Sequence, residues 1–414
     1  MRGRAKRHIW VLVASAGAVT FLAACGGGGS NHQNTIVTSG SNVQTITVNS
    51  GPANNYPNGV FTSVTVCVPS STNCQVINEV LVDTDSYGLR LLSSTGGGAL
   101  TLPLPQQTGS DGNPIGECAA FVTGLTWGPV ATADITISGE KASAVPIQVI
   151  DGSFASLPSE CASFGVPEQD TLAGQNGLGA NGILGVGPVV QDCGTQCTQT
   201  GSSNPGLYYD CAGSNCTVAS QALAQQVQNP VAAFATDNNG VIVELPQTPT
   251  TSSVTGSLVF GIGTESNNAL GSAVVYPMGS NPAVSNYLEF NTAYKGQTYP
   301  AFVDSGSNAY FFLDSNTTGL PVCGDNSSFY CPNSQQNLSA SVSGTQSGGP
   351  TKVSFTIANA DSLFSGPSAF VFPTLGGPNT GMFDWGLPFF YGRNVYVAIV
   401  GKSTSGGQGP YWAF

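Results

Sequence analysis

The chain has 414 residues, of which 8% are charged, and 22 acidic against 10 basic side chains give a formal net charge of −12 at pH 7. An acid excess of this size argues against nucleic acid or an anionic lipid surface as a partner. The two histidines, His8 and His32, both lie near the N-terminus. A Ser-His-Asp unit, a Cys-His unit or a histidine-based zinc site therefore has no histidine in the folded body, and carboxylates lead any candidate chemistry.

Taken in chain order, Arg2, Arg4, Lys6 and Arg7 precede an uncharged, mostly apolar run from Ile9 to Phe21, then Leu22-Ala23-Ala24-Cys25. A charged start, a short apolar stretch and a small-residue cleavage site make an export signal over residues 1–24. The apolar run is shorter than the roughly 20 residues of a membrane span. Residues 25–52 are rich in Gly, Ser, Asn and Thr and are expected to form a flexible tether. Without the leader, six Lys and Arg face 22 acids.

Downstream, "GVFTSVTVCV", "ADITISG", "AVPIQVI", "GVIVELP", "GSLVFGIG", "KVSFTIA" and "NVYVAIVG" predict strands, being short and rich in Val, Ile, Thr and Phe between turn signals. Val218 to Phe234, rich in Ala, Leu and Gln, predicts a helix. Of the 11 cysteines, all but Cys25 fall in the exported body, where disulfides are the default. Cys67/Cys74 and Cys323/Cys331 are near pairs. Cys193, Cys197, Cys211 and Cys216 form a cluster for which a metal is the alternative.

The most informative feature is a repeat. "EVLVDTDSYGLRLL" from Glu79 and "PAFVDSGSNAYFF" from Pro300 each bring an apolar strand to an Asp-Thr/Ser-x-Ser turn. Each is followed by a later apolar segment containing glycine, Asn181 to Gly187 ("NGILGVG") and Asp384 to Arg393 ("DWGLPFFYGR"). A body longer than one ordinary core, with one unit written twice, predicts two related lobes.

On these motifs and their order the chain resembles the pepsin-like aspartic proteases over nearly all of the mature body, and also a family of bacterial lipoproteins with the same body. The resemblance implies an all-β, bilobal pepsin-like (acid protease) fold: two related β-barrel-like lobes, a central cleft and few short helices. The lobes would span 53–264, with the first Asp motif and the Cys-rich insertion, and 265–414, with the second. Leu-Ala-Ala-Cys resembles a lipobox, which implies lipidation of Cys25 and, with Gly26 next, anchoring in the outer membrane of a bacterial cell envelope.

By the same resemblance Asp83 and Asp304 are the catalytic pair, and Thr84 and Ser305 supply hydroxyls that cross-link the two turns. Ser86 and Ser307 are placed to bond the outer carboxylate oxygens. Gly306 fits where no Cβ has room and permissive dihedrals are needed. Asp85 departs from the pattern, standing where Gly is expected; a third charge should raise the neighbouring carboxylate pKa values and wedge the turns apart. "DTDSYG" is not a calcium loop, since Tyr87 and Ser94 occupy ligand positions; a different cation site of Asp83, Asp85 and Asp304 is an alternative.

Where the family has a Tyr-bearing flap hairpin, Gly116 to Gly128 offers Phe121 and Trp127, each a candidate for the cleft or for core packing. Cys118 is a candidate to pin this region to Cys161. The implied activity is endopeptidase action on peptides at the cell envelope, with no cofactor and no metal. The alternative is an inactive pseudo-protease whose cleft or Cys-rich loop holds a peptide or a glycan.

Overall fold

The computed structural model describes residues 34–279, 288–366 and 368–414. The export signal 1–24, the lipidation candidate Cys25 and the start of the tether lie outside the described residues.

The fold is all-β. Period-2 alternation sets the strands, because successive side chains point to opposite faces. Val43–Asn49 reads "VQTITVN" and buries Ile46 and Val48 while pairing with Val254–Phe260 on one side and Gly59–Cys67 on the other. The tether expected as far as residue 52 therefore ends earlier. Alternation outweighs a Ser/Thr/Asn composition once a sheet supplies partners for the backbone.

Two main sheets form. A seven-stranded sheet is built wholly between Phe290 and Gly386. A 15-stranded sheet carries most of the first half and also takes in Arg393–Ala398, Tyr411–Ala413 and Val275–Pro277 beside Gly240–Leu245. Continuous hydrogen bonding thus joins the two halves of the chain. Helices among the described residues are short, Ser159–Ala162, Ser315–Thr318 and Ala360–Phe364, and none is long and apolar enough to cross a membrane.

The helix expected over Val218–Phe234 is absent. The segment starts at the end of the strand Asn215–Val218 and continues through two 3-10 turns, Leu223–Gln225 and Pro230–Ala233. Pro230 lacks an N–H and crowds a preceding helical turn, and Asn229 caps the second turn by accepting from the Val231 N–H at 3.0 Å. Buried Gln226 also spends its amide on the carbonyls of Gly194 and Gln221.

All ten body cysteines are paired: Cys67–Cys74, Cys118–Cys161, Cys193–Cys197, Cys211–Cys216 and Cys323–Cys331. The cluster at 193–216 is therefore two disulfides rather than a metal site. Its strand Tyr208–Ala212 pairs with Ile115–Ala120, so the insertion widens the sheet of the flap-position hairpin.

The repeat in the sequence is a repeat in topology. Cys74–Asp83 runs parallel to Gly182–Val186, with Asp83 opposite Gly185, and Tyr87–Leu92 lies antiparallel on the far side. Gln297–Asp304 runs parallel to Asn379–Gly386, with Asp304 opposite Gly386, and Tyr310–Leu313 lies antiparallel on the far side. Each aspartate ends the first strand of an equivalent three-stranded unit.

Candidate active site

The two units meet at their Asp turns through four buried hydrogen bonds. The Thr84 hydroxyl donates to Val303 O at 3.0 Å and accepts from the Ser305 N–H at 3.0 Å. The Ser305 hydroxyl donates to Val82 O at 2.7 Å and accepts from the Thr84 N–H at 3.2 Å. Both residues are fully buried. This reciprocal grip matches the cross-link expected of the two hydroxyls and persists with Asp85 in the turn, so the expected wedging does not occur.

Above the grip the side chains of Asp83 and Asp304 come together at Gly306, and the Asp83 charge acts on Asp304. Asp83 Oδ1 accepts from the N–H groups of Asp85 and Ser86 at 2.9 and 3.2 Å, and Asp304 Oδ1 accepts from the Gly306 N–H at 2.7 Å. A Cβ on Gly306 would stand 2.8 Å from Asp83 Cγ and 3.1 Å from Asp304 Oδ1. Space alone demands glycine here: its φ lies outside the left-handed region, so the expected need for permissive dihedrals is corrected.

The two serines differ. The Ser307 side chain favours the ionised form of Asp304, the effect its expected hydrogen bond would have. The Ser86 hydroxyl is buried without a partner among the described residues, which corrects its assigned role. The first turn lays two backbone amides on Asp83 Oδ1 and leaves the hydroxyl off the carboxylate.

Asp304 is pushed well above the usual carboxylate range, first by burial and then by Asp83, against the Ser307 side chain and the Gly306 hydrogen bond. Asp85 is pushed well up by burial, then by Asp304, Asp83 and Glu289. Its strongest charge neighbour thus belongs to the opposite turn. A fourth acid, Asp384, completes the group. It is buried, and is raised by burial and then by Asp304, with smaller contributions from Asp85 and Asp83, against the Ser307 side chain, which favours its ionised form. Sequence reasoning quoted the segment that Asp384 opens without singling it out; its place in a segment otherwise apolar was the available signal. Asp83, Asp85 and Asp304 do not form a group with an oxygen from each within 4.8 Å of the others, so the alternative cation site is not assembled. Where Cys323, Cys331 and Asp361 do come that close, the thiols are spent on a disulfide.

The flap position is a hairpin of Ile115–Ala120 and Leu125–Ile137, with Phe121 at its tip. Phe121 is part-buried against a cluster containing Phe61, Leu81, Leu178 and Ile183, beside Tyr56 and Leu172. Trp127 is corrected as a cleft candidate: it is fully buried, donates to Ala155 O at 2.9 Å and packs edge-on to Tyr209. The Cys118–Cys161 bridge pins the hairpin. Glu117 on the same strand pairs with buried Arg90 at 2.5 Å, and Arg90 also reaches Asp192 at 3.0 Å.

Tyr56 was also missed as a cleft residue. It lines a cavity of about 240 Å³ with Leu172, Leu178, Gly179 and Asn308. Burial and then the charges of Asp83 and Asp304 raise its phenol, placing an aromatic hydroxyl near the paired acids from the loop before the first hairpin. The flap strand carries none.

The arrangement has a solved counterpart. The structure of an aspartic proteinase from Irpex lacteus superposes with a TM-score of 0.52 at 16% identity, covering 90% of this chain and 96% of that one. At that identity the likeness establishes the bilobal pepsin-like fold and no more. No curated protein matches the sequence. Residues 38–414 match one family over most of the chain, and the chain belongs to it: the family described as "Protein of unknown function (DUF3443)".

Proposed function

We propose that the chain is an atypical aspartic endopeptidase, lipid-anchored through Cys25 in the outer membrane of a bacterial cell envelope, that cuts peptides with Asp83 and Asp304. The observation that carries this reading is the pair of acids brought together at Gly306 and seated on the reciprocal Thr84/Ser305 grip. Two carboxyls this close share a proton, because both cannot easily ionise. The ionised acid takes a proton from a water as its oxygen bonds to the peptide carbonyl carbon, and the protonated acid gives its proton to the carbonyl oxygen. Collapse of the gem-diol breaks the C–N bond, and the departing nitrogen receives a proton from the pair. The two protonation steps belong to the pair rather than to either residue.

A second reading, a peptide- or glycan-binding pseudo-protease, draws on Asp85, whose carboxyl adds a third raised acid where a glycine was expected. The test is cleavage of an unbiased peptide library by the full chain in detergent, from about pH 3 to about pH 7, with Asp304→Asn and Asp85→Gly alongside. Cleavage that disappears in Asp304→Asn supports the enzyme. Cleavage by Asp85→Gly alone assigns the silence to Asp85. None from either form leaves the binding module.

A further inference from the structure

The duplicated unit makes the two sides of the paired acids comparable position by position. Asp83 faces Gly185 and Asp304 faces Gly386; two residues earlier Leu81 faces Ile183, and Phe302 faces Asp384. Asp384 is therefore the counterpart of Ile183. Residues two apart on a strand share a face, so Phe302 lies on the face that carries Asp304, with Asp384 beside it. On the first side Ile183 belongs to an apolar cluster with Leu81, Phe61 and Leu178, flanked by Tyr56 and Phe121. On the second side the matching position is a carboxylate.

We infer that Asp384 is a specificity-determining residue, making the second side of the cleft a receptor for a Lys or Arg side chain of the bound peptide, opposite an apolar receptor around Ile183. The inference rests on the proposed reading of the cleft. Asp384 is 6% exposed, yet its Oδ1 has no hydrogen-bond partner among the described residues, and an orphaned buried carboxylate oxygen is costly unless a ligand completes it. It has no salt-bridge partner among the described residues. Phe302 and Phe311 flank it in register, both part-exposed. Aromatic walls around an acid suit an alkyl stem with a cationic head.

Proton linkage supports the same assignment. The groups facing Asp384 are Asp304, Asp85, Asp83 and the Ser307 hydroxyl, and among these the acids favour its neutral form in the empty cleft. A cation prefers the ionised form, so a basic side chain expels the proton and binds more tightly as pH rises.

The test uses two peptides carrying a non-cleavable hydroxyethylene isostere, one Phe–Lys and one Phe–norleucine across it. Calorimetry gives their Kd values on the full chain in detergent, and on Asp384→Ile, Asp384→Asn and Asp304→Asn. The Lys peptide should bind the unaltered chain at least about tenfold tighter, with the gap widening at higher pH; Asp384→Ile should abolish or reverse the preference and Asp384→Asn should shrink it. Equal binding of both peptides, lost in Asp304→Asn, would leave the aspartic-protease reading standing and overturn the role of Asp384. Binding of neither would overturn both.

Discussion

Ser305→Ala tests the grip on which the paired acids sit. The change removes two of the four cross-turn hydrogen bonds and orphans the Thr84 N–H and the Val82 carbonyl, both in fully buried surroundings. Each lost bond is worth about 1 kcal/mol net, and each orphaned group adds about 1 kcal/mol or more of uncompensated desolvation. The expected loss is about 4 kcal/mol, a large share of the total stability of an ordinary fold. Thr84→Ser is the control: it retains both hydroxyl bonds and deletes one methyl, for about 1 kcal/mol. Urea unfolding read from midpoints at unchanged slope measures both. A Ser305→Ala loss below about 1 kcal/mol, or one no greater than that of Thr84→Ser, would show that the two turns are held by something else.

Gly306→Ala places a methyl 2.8 Å from Asp83 Cγ; it should cost about 1–3 kcal/mol through overpacking and suppress any cleavage more than stability, and unchanged cleavage would refute the crowding. Glu244, buried beneath the Val37 N–H, is raised by burial from 4.5 to about 7. Its favourable neutral form is fully present below about pH 4.5 and is lost as pH rises through about 7. Glu244→Gln should therefore gain about 2 kcal/mol over the parent at about pH 8, after allowance for solvent screening, and nothing near pH 4; thermal melts across that range decide it. Asp85, Asp304 and Asp384 are raised in the same direction, so stability should fall as pH climbs from 3.8 towards their raised values, and Asp85→Asn should flatten that slope. A melting temperature that rises over the interval in both forms would contradict the sign.

Much of the fold was legible because its signals are local. The strand over Cys74–Asp83 and its partner ending at Asp304 show as apolar runs closing on an Asp turn. The pairs Cys67–Cys74 and Cys323–Cys331 follow from short separations of 7 and 8 residues. Where local signals compete, reading failed: Val43–Asn49 has a tether's composition and a strand's alternation, and Val218–Phe234 has helical residue types but a proline at residue 230 and glutamines whose amides are claimed by backbone elsewhere. In the site, the hydroxyls of Thr84 and Ser305 went where the motif places them, while Ser86 did not, since the turn satisfies Asp83 with amides.

By itself the sequence determined the all-β class, the duplicated Asp turn and a stretch from residue 33 onward without histidine, because periodicity, turn composition and residue inventory are properties of a few neighbouring positions or of none. Tertiary structure alone decided that Asp384 stands beside Phe302 and answers first to Asp304 among its charged neighbours. It likewise decided that Tyr56 approaches the acids and that Asp85 answers chiefly to Asp304 among its charged neighbours. A carboxylate's protonation and its partners follow from burial and from charges brought near by sheet pairing, and residues distant in the chain share a face only once the register of the strands is set.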